Sequence, residues 1–319
     1  MKFSNFKLRA AGLVLLTVSA VPMLAESINP PTTPQTAPMT AQEKKNLETA
    51  LTWWREVIQS SHVELAPKYQ AENYIQHNPS INTGRDAFVK IFGSRPPVNP
   101  IPGKMANPPV VAGAKGDFVW LIWERESKDP RNPDNTYHFN TFDVIRFEKG
   151  KVQEHWDSAQ RTPMSPAVEY GVSPKPPMQW NTGKLSKDEK TTLAMATEEL
   201  KDMLQYGHLE LADKTMDPGY IQHNPNVPQG RDGFKTFMSR VPGRVPEPLK
   251  EEWKNAPVLT LVNGPYSFMM WDRKVKDPAD PSKEYVWNHY DVVRTEGGKI
   301  KEHWDEAVIN APGAGGKKQ

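Results

Sequence analysis

Leu47, Leu51, Trp54 and Ile58 recur at helical spacing within a polar stretch, which predicts an amphipathic helix early in the chain. Leu193, Leu200 and Leu204 repeat three of those positions 146 residues later. Both helices run into related sequences, His62-Val63-Glu64-Leu65-Ala66 and His208-Leu209-Glu210-Leu211-Ala212. Asp86 to Phe92 reads as a further short helix. The pattern then changes to aromatic and β-branched runs, Phe118 to Glu124, Tyr137 to Phe147 and Val152 to Asp157, with a tight turn at Lys149-Gly150. Phe268 to Asp272, Tyr285 to Arg294 and Ile300 to Asp305 repeat this around Gly297-Gly298. Helices followed by an antiparallel meander predict an α+β fold. A sheet this aromatic must curl or be covered by the helices, giving a cone with a pocket suited to a small molecule.

Two phrases make the repetition explicit. Tyr74-Ile75-Gln76-His77-Asn78-Pro79, with Gly84-Arg85-Asp86-x-Phe88 after it, returns as Tyr220-Ile221-Gln222-His223-Asn224-Pro225 with Gly230-Arg231-Asp232-x-Phe234. Glu154-His155-Trp156-Asp157 returns as Glu302-His303-Trp304-Asp305. A period near 147 residues is the size of a whole domain, so a tandem duplication is expected. The expected domains are residues 41–163 and 185–310. A Pro/Thr-rich linker at 26–40 is expected to be extended and mobile, a Pro-rich connector spans 164–184, and a flexible tail 311–319.

The formal charge of +2 over 319 residues leaves no electrostatic footprint for nucleic acid. The absence of cysteine excludes disulfides, thiol nucleophiles and cysteine-bound metals. Lys2, Lys7 and Arg9 precede an apolar run from Ala10 to Leu24, which predicts a signal peptide over residues 1–25 and a periplasmic or secreted protein. After cleavage no membrane attachment is expected.

Chemistry concentrates in the closing hairpins. With a two-residue turn, Phe147 pairs with Val152, Val144 with His155 and Phe142 with Asp157. His155 and Asp157 then share a face with aromatic neighbours, as do His303 and Asp305 beside Val292 and Tyr290. One bulge would swap the faces and bring Asp143 and Trp156 to the pocket. An imidazole and a carboxylate on one face suit acid–base catalysis, and equally suit hydrogen bonds that close a strand end. Pro79 biases Asn78 towards an extended conformation, so His77 and Asn78 fall in a turn from which they could reach a carbonyl or enolate oxygen, or simply pin the turn. Trp53, Trp123 and Trp156 suit a core better than a ligand platform. No metal-ligand spacing motif, serine elbow or phosphate loop is present, and neither a metal nor another cofactor is expected. A metal site would need His77, His155 and Asp157 to converge.

The two phrases in this order resemble the SnoaL-like branch of the nuclear transport factor 2 (NTF2)-like superfamily, over both expected domains. The resemblance implies two cone-shaped α+β barrels, paired as an intrachain pseudo-dimer, and a general-base Asp near a strand end with a supporting His and no cofactor. By motif the catalytic residues would be Asp157, His155 and His77, with Asp305, His303 and His223 in the second copy. Asn78, Asn224, Tyr74, Tyr220, Phe142 and Tyr290 would bind substrate. The expected activity is cofactor-independent acid–base chemistry on a small carbonyl compound, of aldol cyclase, isomerase or hydrolase/dehydratase type. A non-catalytic small-molecule binder and a scaffold for a partner protein are the alternatives.

Overall fold

The computed structural model describes Asn29, residues 31–168 and residues 180–310. The expected signal segment, the tail 311–319 and part of the connector lie outside the described residues. The first half opens with β1 (Gln35–Thr36), α1 (Ala41–Trp53), α2 (Ala66–Tyr69), β2 (Gln70–Gln76) and α3 (Arg85–Phe92). It closes with β3 (Val111–Lys115), β4 (Phe118–Asp129), β5 (Asn132–Glu148) and β6 (Lys151–Asp157). The second half has α4 (Lys187–Thr197), α5 (Ala212–Thr215), β7 (Met216–Gln222), α6 (Gly230–Met238), β8 (Leu259–Asn263), β9 (Tyr266–Lys276), β10 (Glu284–Glu296) and β11 (Lys299–Asp305). This is the α+β class the pattern predicts. The sheets, however, are open and do not close into barrels: their orders are β1-β3-β4-β5-β6-β2 and β7-β11-β10-β9-β8.

Capping boxes start the long helices, Thr40 with Glu43 and Ser186 with Glu189, each satisfying two end groups that water would otherwise have to serve. The buried stripe of the first helix is Leu47, Ala50, Trp53 and Val57. Leu51, Trp54 and Ile58, expected on that stripe with Leu47, pack only at its margin. Both helices end in a π-helical turn, Trp54–Gln59 and Glu198–Met203.

The hairpin turn forms as expected, with φ of 50° at Lys149 and 74° at Gly150, the left-handed pair that two-residue hairpins require. The register beyond it does not. Phe147 pairs with Val152, but Arg146 then pairs with Glu154, so Gln153 is an extra residue and His155 faces Ile145 rather than Val144. Asp157 faces Asp143 rather than Phe142. The second hairpin bulges alike at Lys301, putting His303 opposite Val293 and Asp305 opposite Asp291. The extra side chains explain the bulge: Gln153 Nε2 donates to the Asn73 carbonyl at 2.9 Å, and Lys301 pairs with Asp217. Each thereby ties the bulged strand to the neighbourhood of β2 or β7.

That one-residue shift sorts the side chains. Ile145 and Trp123 join the helix-covered core, while Phe142, Val144 and Trp156 join a third core lying between the two sheets. Phe142 stacks on Tyr290 there, ring centroids 5.3 Å apart and 8° from parallel. Burying each such phenyl ring contributes roughly 1.5–3 kcal/mol.

Residues 31–40 are not the mobile linker their composition suggests. Gln35–Thr36 pairs in parallel with Val111 and Ala112, giving the edge of β3 a partner. Thr32 and Ala37 are buried, and Tyr266 donates its hydroxyl to Gln35 Oε1 at 2.5 Å. Among the described residues no helix is long and apolar enough to cross a membrane.

Candidate functional site

The bulge on β6 brings His155 and Asp157 to the helix-facing side that Asp143 of β5 occupies, where one ligand atom from each of the three lies within 4.8 Å of the others. His155 Nε2 is 2.7 Å from Asp143 Oδ1, and Trp123 Nε1 donates to Asp143 Oδ2 at 2.5 Å. Asp157 is steered from outside the hairpin: Asn78 Nδ2 donates to its Oδ2 at 2.7 Å, and the Ala159 amide to its Oδ1 at 2.9 Å. Trp53 and Trp54 present their rings to His155 at 5.9 and 6.0 Å, and Trp54 stacks on Trp123 at 4.8 Å. His155 and Asp143 are buried, whereas Asp157 keeps partial access to solvent.

Burial in this aromatic setting pushes the Asp143 carboxyl up to about 6, against the pull of its His155 partner. Burial works against a charged His155, but the Asp143 hydrogen bond and the charges of Asp143 and Asp157 outweigh it and raise its pKa. The pair can therefore hold or release a proton in the mildly acid to neutral range, as acid–base catalysis needs. His155 Nδ1 is buried and has no hydrogen-bond partner among the described residues.

The second half repeats the triad with different surroundings. His303 Nε2 is 2.9 Å from Asp291 Oδ1, and Asn224 Nδ2 donates to Asp305 Oδ2 at 2.8 Å. Here His303 Nδ1 meets Glu199 Oε1 at 2.7 Å, and Tyr220 donates its hydroxyl to the same oxygen at 3.0 Å. His289 pairs with Glu306 and approaches Asp291 Oδ2 at 3.2 Å. Burial disfavours charge on both imidazoles. The surrounding carboxylates prevail, taking His289 up to about 10 and His303 well above its ordinary value. Burial works against a charged Asp291, but the His289 and His303 imidazoles beside it prevail and hold its carboxyl well below the usual carboxylate range.

His77 and His223 are not brought to these triads. Each follows β2 or β7 and lies on the opposite sheet face, stacked on Trp156 at 4.2 Å or Trp304 at 4.7 Å. His77 Nε2 bonds Glu154 Oε2 at 3.0 Å, and His223 Nδ1 lies 3.2 Å from Thr32 Oγ1. His77 therefore does not converge with His155 and Asp157. Phe142 and Tyr290 lie in the inter-sheet core. Tyr74 and Tyr220 stand on the helix side, and burial, reinforced by nearby carboxylates, raises both phenols well above their ordinary value. Asn78 and Asn224 reach the site as positioning groups for Asp157 and Asp305.

Asp143, expected at the pocket with Trp156 only if the hairpin bulges, joins the site while Trp156 stays on the inter-sheet face; Asp291 and Glu199 are groups that no expectation from the sequence named. A signal for Asp143 and Asp291 exists: Phe142-Asp143-Val144 recurs as Tyr290-Asp291-Val292 at the same 148-residue offset as the Glu-His-Trp-Asp phrase. Glu199 has no such signal, because its counterpart is Trp53. Asp143, His155 and Asp157, or Asp291, His303 and Asp305, are also the donor sets that could hold a metal ion, each one imidazole and two carboxylates.

No family model matches this chain, and no curated protein does. Solved structures of SnoaL-like and NTF2-like proteins are similar to it. TsrD from Streptomyces laurentii is 17% identical over 39% of this chain and 90% of its own, with a TM-score of 0.27. A candidate SnoaL-like polyketide cyclase from Jannaschia sp. is 17% identical over 38% of this chain and 88% of its own, TM-score 0.27. An NTF2-like protein of unknown function from Mesorhizobium loti is 16% identical over 39% and 96%, TM-score 0.27.

Proposed function

We propose that the His–Asp site performs cofactor-independent acid–base chemistry on a small carbonyl compound. The observation that carries this reading is the Asp143–His155–Asp157 triad, three titratable groups gathered in a desolvated, indole-lined place with one carboxylate still reachable. Asp157 takes a proton from the carbon next to the carbonyl, and the C–H electron pair moves to form an enolate. The His155 imidazolium stabilises the enolate oxygen, a role the sequence reading gave to His77. Asp143 holds the imidazole, and Asn78 holds Asp157. Returning the proton to a different carbon gives an isomerisation; attack of the enolate carbon on a second carbonyl forms a C–C bond, with the proton delivered to the new alkoxide. Oriented general-base catalysis of this kind contributes about 10²–10⁴-fold in rate.

The arrangement of the chain in space is part of the reading. Two sheets with equivalent strand orders, stacked through Phe142, Tyr290, Trp120 and Phe268, support a duplicated unit paired as an intrachain pseudo-dimer. The apolar run after Lys2, Lys7 and Arg9 supports export.

A thermal-shift screen against carbonyl compounds, followed by product analysis, identifies the substrate. The doubly substituted variant Asp157→Asn, Asp305→Asn should then lose turnover. Full turnover in that variant would overturn the reading, and ligand binding without any product would favour a binding module.

A further inference from the structure

Trp53 and Glu199 occupy equivalent places. Each lies thirteen residues beyond the capping residue of its helix, Thr40 or Ser186, and each is fully buried. In the second half this place carries a carboxylate that meets His303 Nδ1 at 2.7 Å. In the first half it carries an indole, and among the described residues His155 Nδ1 is left without a partner, as is Trp53 Nε1. Both imidazoles spend their other nitrogen on an aspartate, 2.7 Å away in one case and 2.9 Å in the other. The two halves thus differ in one hydrogen-bonding demand. In the second half the protein meets it; in the first it stays open, and a buried polar group left open is costly and rare.

We propose that the first site binds a ligand bringing an anionic oxygen, a carboxylate or an enolate-like oxygen, to His155 Nδ1 between Trp53 and Trp54, whereas the second site is self-occupied by Glu199. Glu199 Oε1 meets His303 Nδ1 as the ligand's oxygen would meet His155 Nδ1. The stacked Trp54 and Trp123 rings beside it favour a flat apolar body behind the anionic group. The inference takes its site from the proposed function but does not depend on turnover.

The test is calorimetric titration of the full chain with benzoate, with 4-nitrophenolate as an enolate-like oxygen, and with neutral benzamide. One equivalent of benzoate or 4-nitrophenolate per chain is expected, with benzamide at least tenfold weaker. Tighter binding of benzoate assigns a carboxylate ligand, and the reverse an enolate-like one. His155→Gln should remove the binding, and Glu199→Ala should raise the stoichiometry to two. If Glu199→Ala does not fold, the wild-type stoichiometry and His155→Gln still decide. Two equivalents in the wild type, equal binding of benzamide, binding retained by His155→Gln, or no binding of either anion would each overturn the inference. One equivalent bound, with no carbonyl compound turned over, would sustain this inference while the catalytic one fails.

Discussion

Oε1 of Glu199 lies 2.7 Å from Nδ1 of His303, and the contact ties the helix side of the second half to its sheet. His303 is flanked by this carboxylate and by Asp291, all three buried. Removing one anion from such a set leaves a buried cation undercompensated, which costs about 3–5 kcal/mol. Glu199→Ala should therefore lower stability by that order in chemical denaturation, while Glu199→Gln, which keeps an acceptor, should cost less.

The same cluster sets a pH dependence. His289 and His303 have folded pKa values above their unfolded ones, His289 at about 10. Their contribution is complete below the unfolded histidine value of about 6.5 and is lost as pH rises towards the folded values. The denaturation midpoint should fall between pH 7 and 10. His289→Thr, which installs the residue found at the equivalent position 141, should flatten that fall.

Burial raises the Asp143 carboxyl to about 6 in the folded state. The folded state holds the carboxyl proton more tightly than the unfolded one, so its contribution is lost as pH rises from about 4 to 6. A carboxyl ¹³C NMR titration should show an apparent pKa near 6 that disappears in Asp143→Asn. Because His155 is 2.7 Å away, the apparent value belongs to the pair.

Thr32 reaches across the molecule to His223 Nδ1 at 3.2 Å, and Trp304 Nε1 donates to the same hydroxyl at 3.4 Å. Thr32→Val leaves both buried groups without that partner and should cost about 1–3 kcal/mol. A chain lacking the residues before Met39 should be less stable still and more open to proteolysis. A truly mobile linker would give no change in either measurement.

Phe142 against Tyr290 tests the inter-sheet core. Phe142→Ala should cost about 3–5 kcal/mol by calorimetry and should begin to uncouple the melting of the two halves. A residue that only lined a ligand site would instead weaken ligand binding and leave the melting temperature nearly unchanged.

Local chemistry made much of this legible. Alternating aromatic and β-branched runs placed the three long strands of each half, and the turn residues placed their hairpins. The register was not legible, because Gln153 and Lys301 bulge only through contacts made far along the chain. That single shift moved His155 to Asp143 and away from Phe142. The strands Gln70–Gln76 and Met216–Gln222 also escaped notice: their sequences alternate weakly, and they are fixed by parallel pairing to β6 and β11. Residues 31–40 read as a linker by composition, yet the free edge of β3 recruits them.

The sequence by itself determined the α+β class, the repeated phrases and the presence of a His and an Asp near each closing strand end. Those follow from periodicity and residue type, which act over a few positions. Only the tertiary structure decided that Asp143 and not His77 accompanies His155, and that Glu199 closes around His303 where Trp53 leaves His155 open. Those outcomes depend on which face a strand presents and on which distant helix packs there, and both are settled by long-range burial.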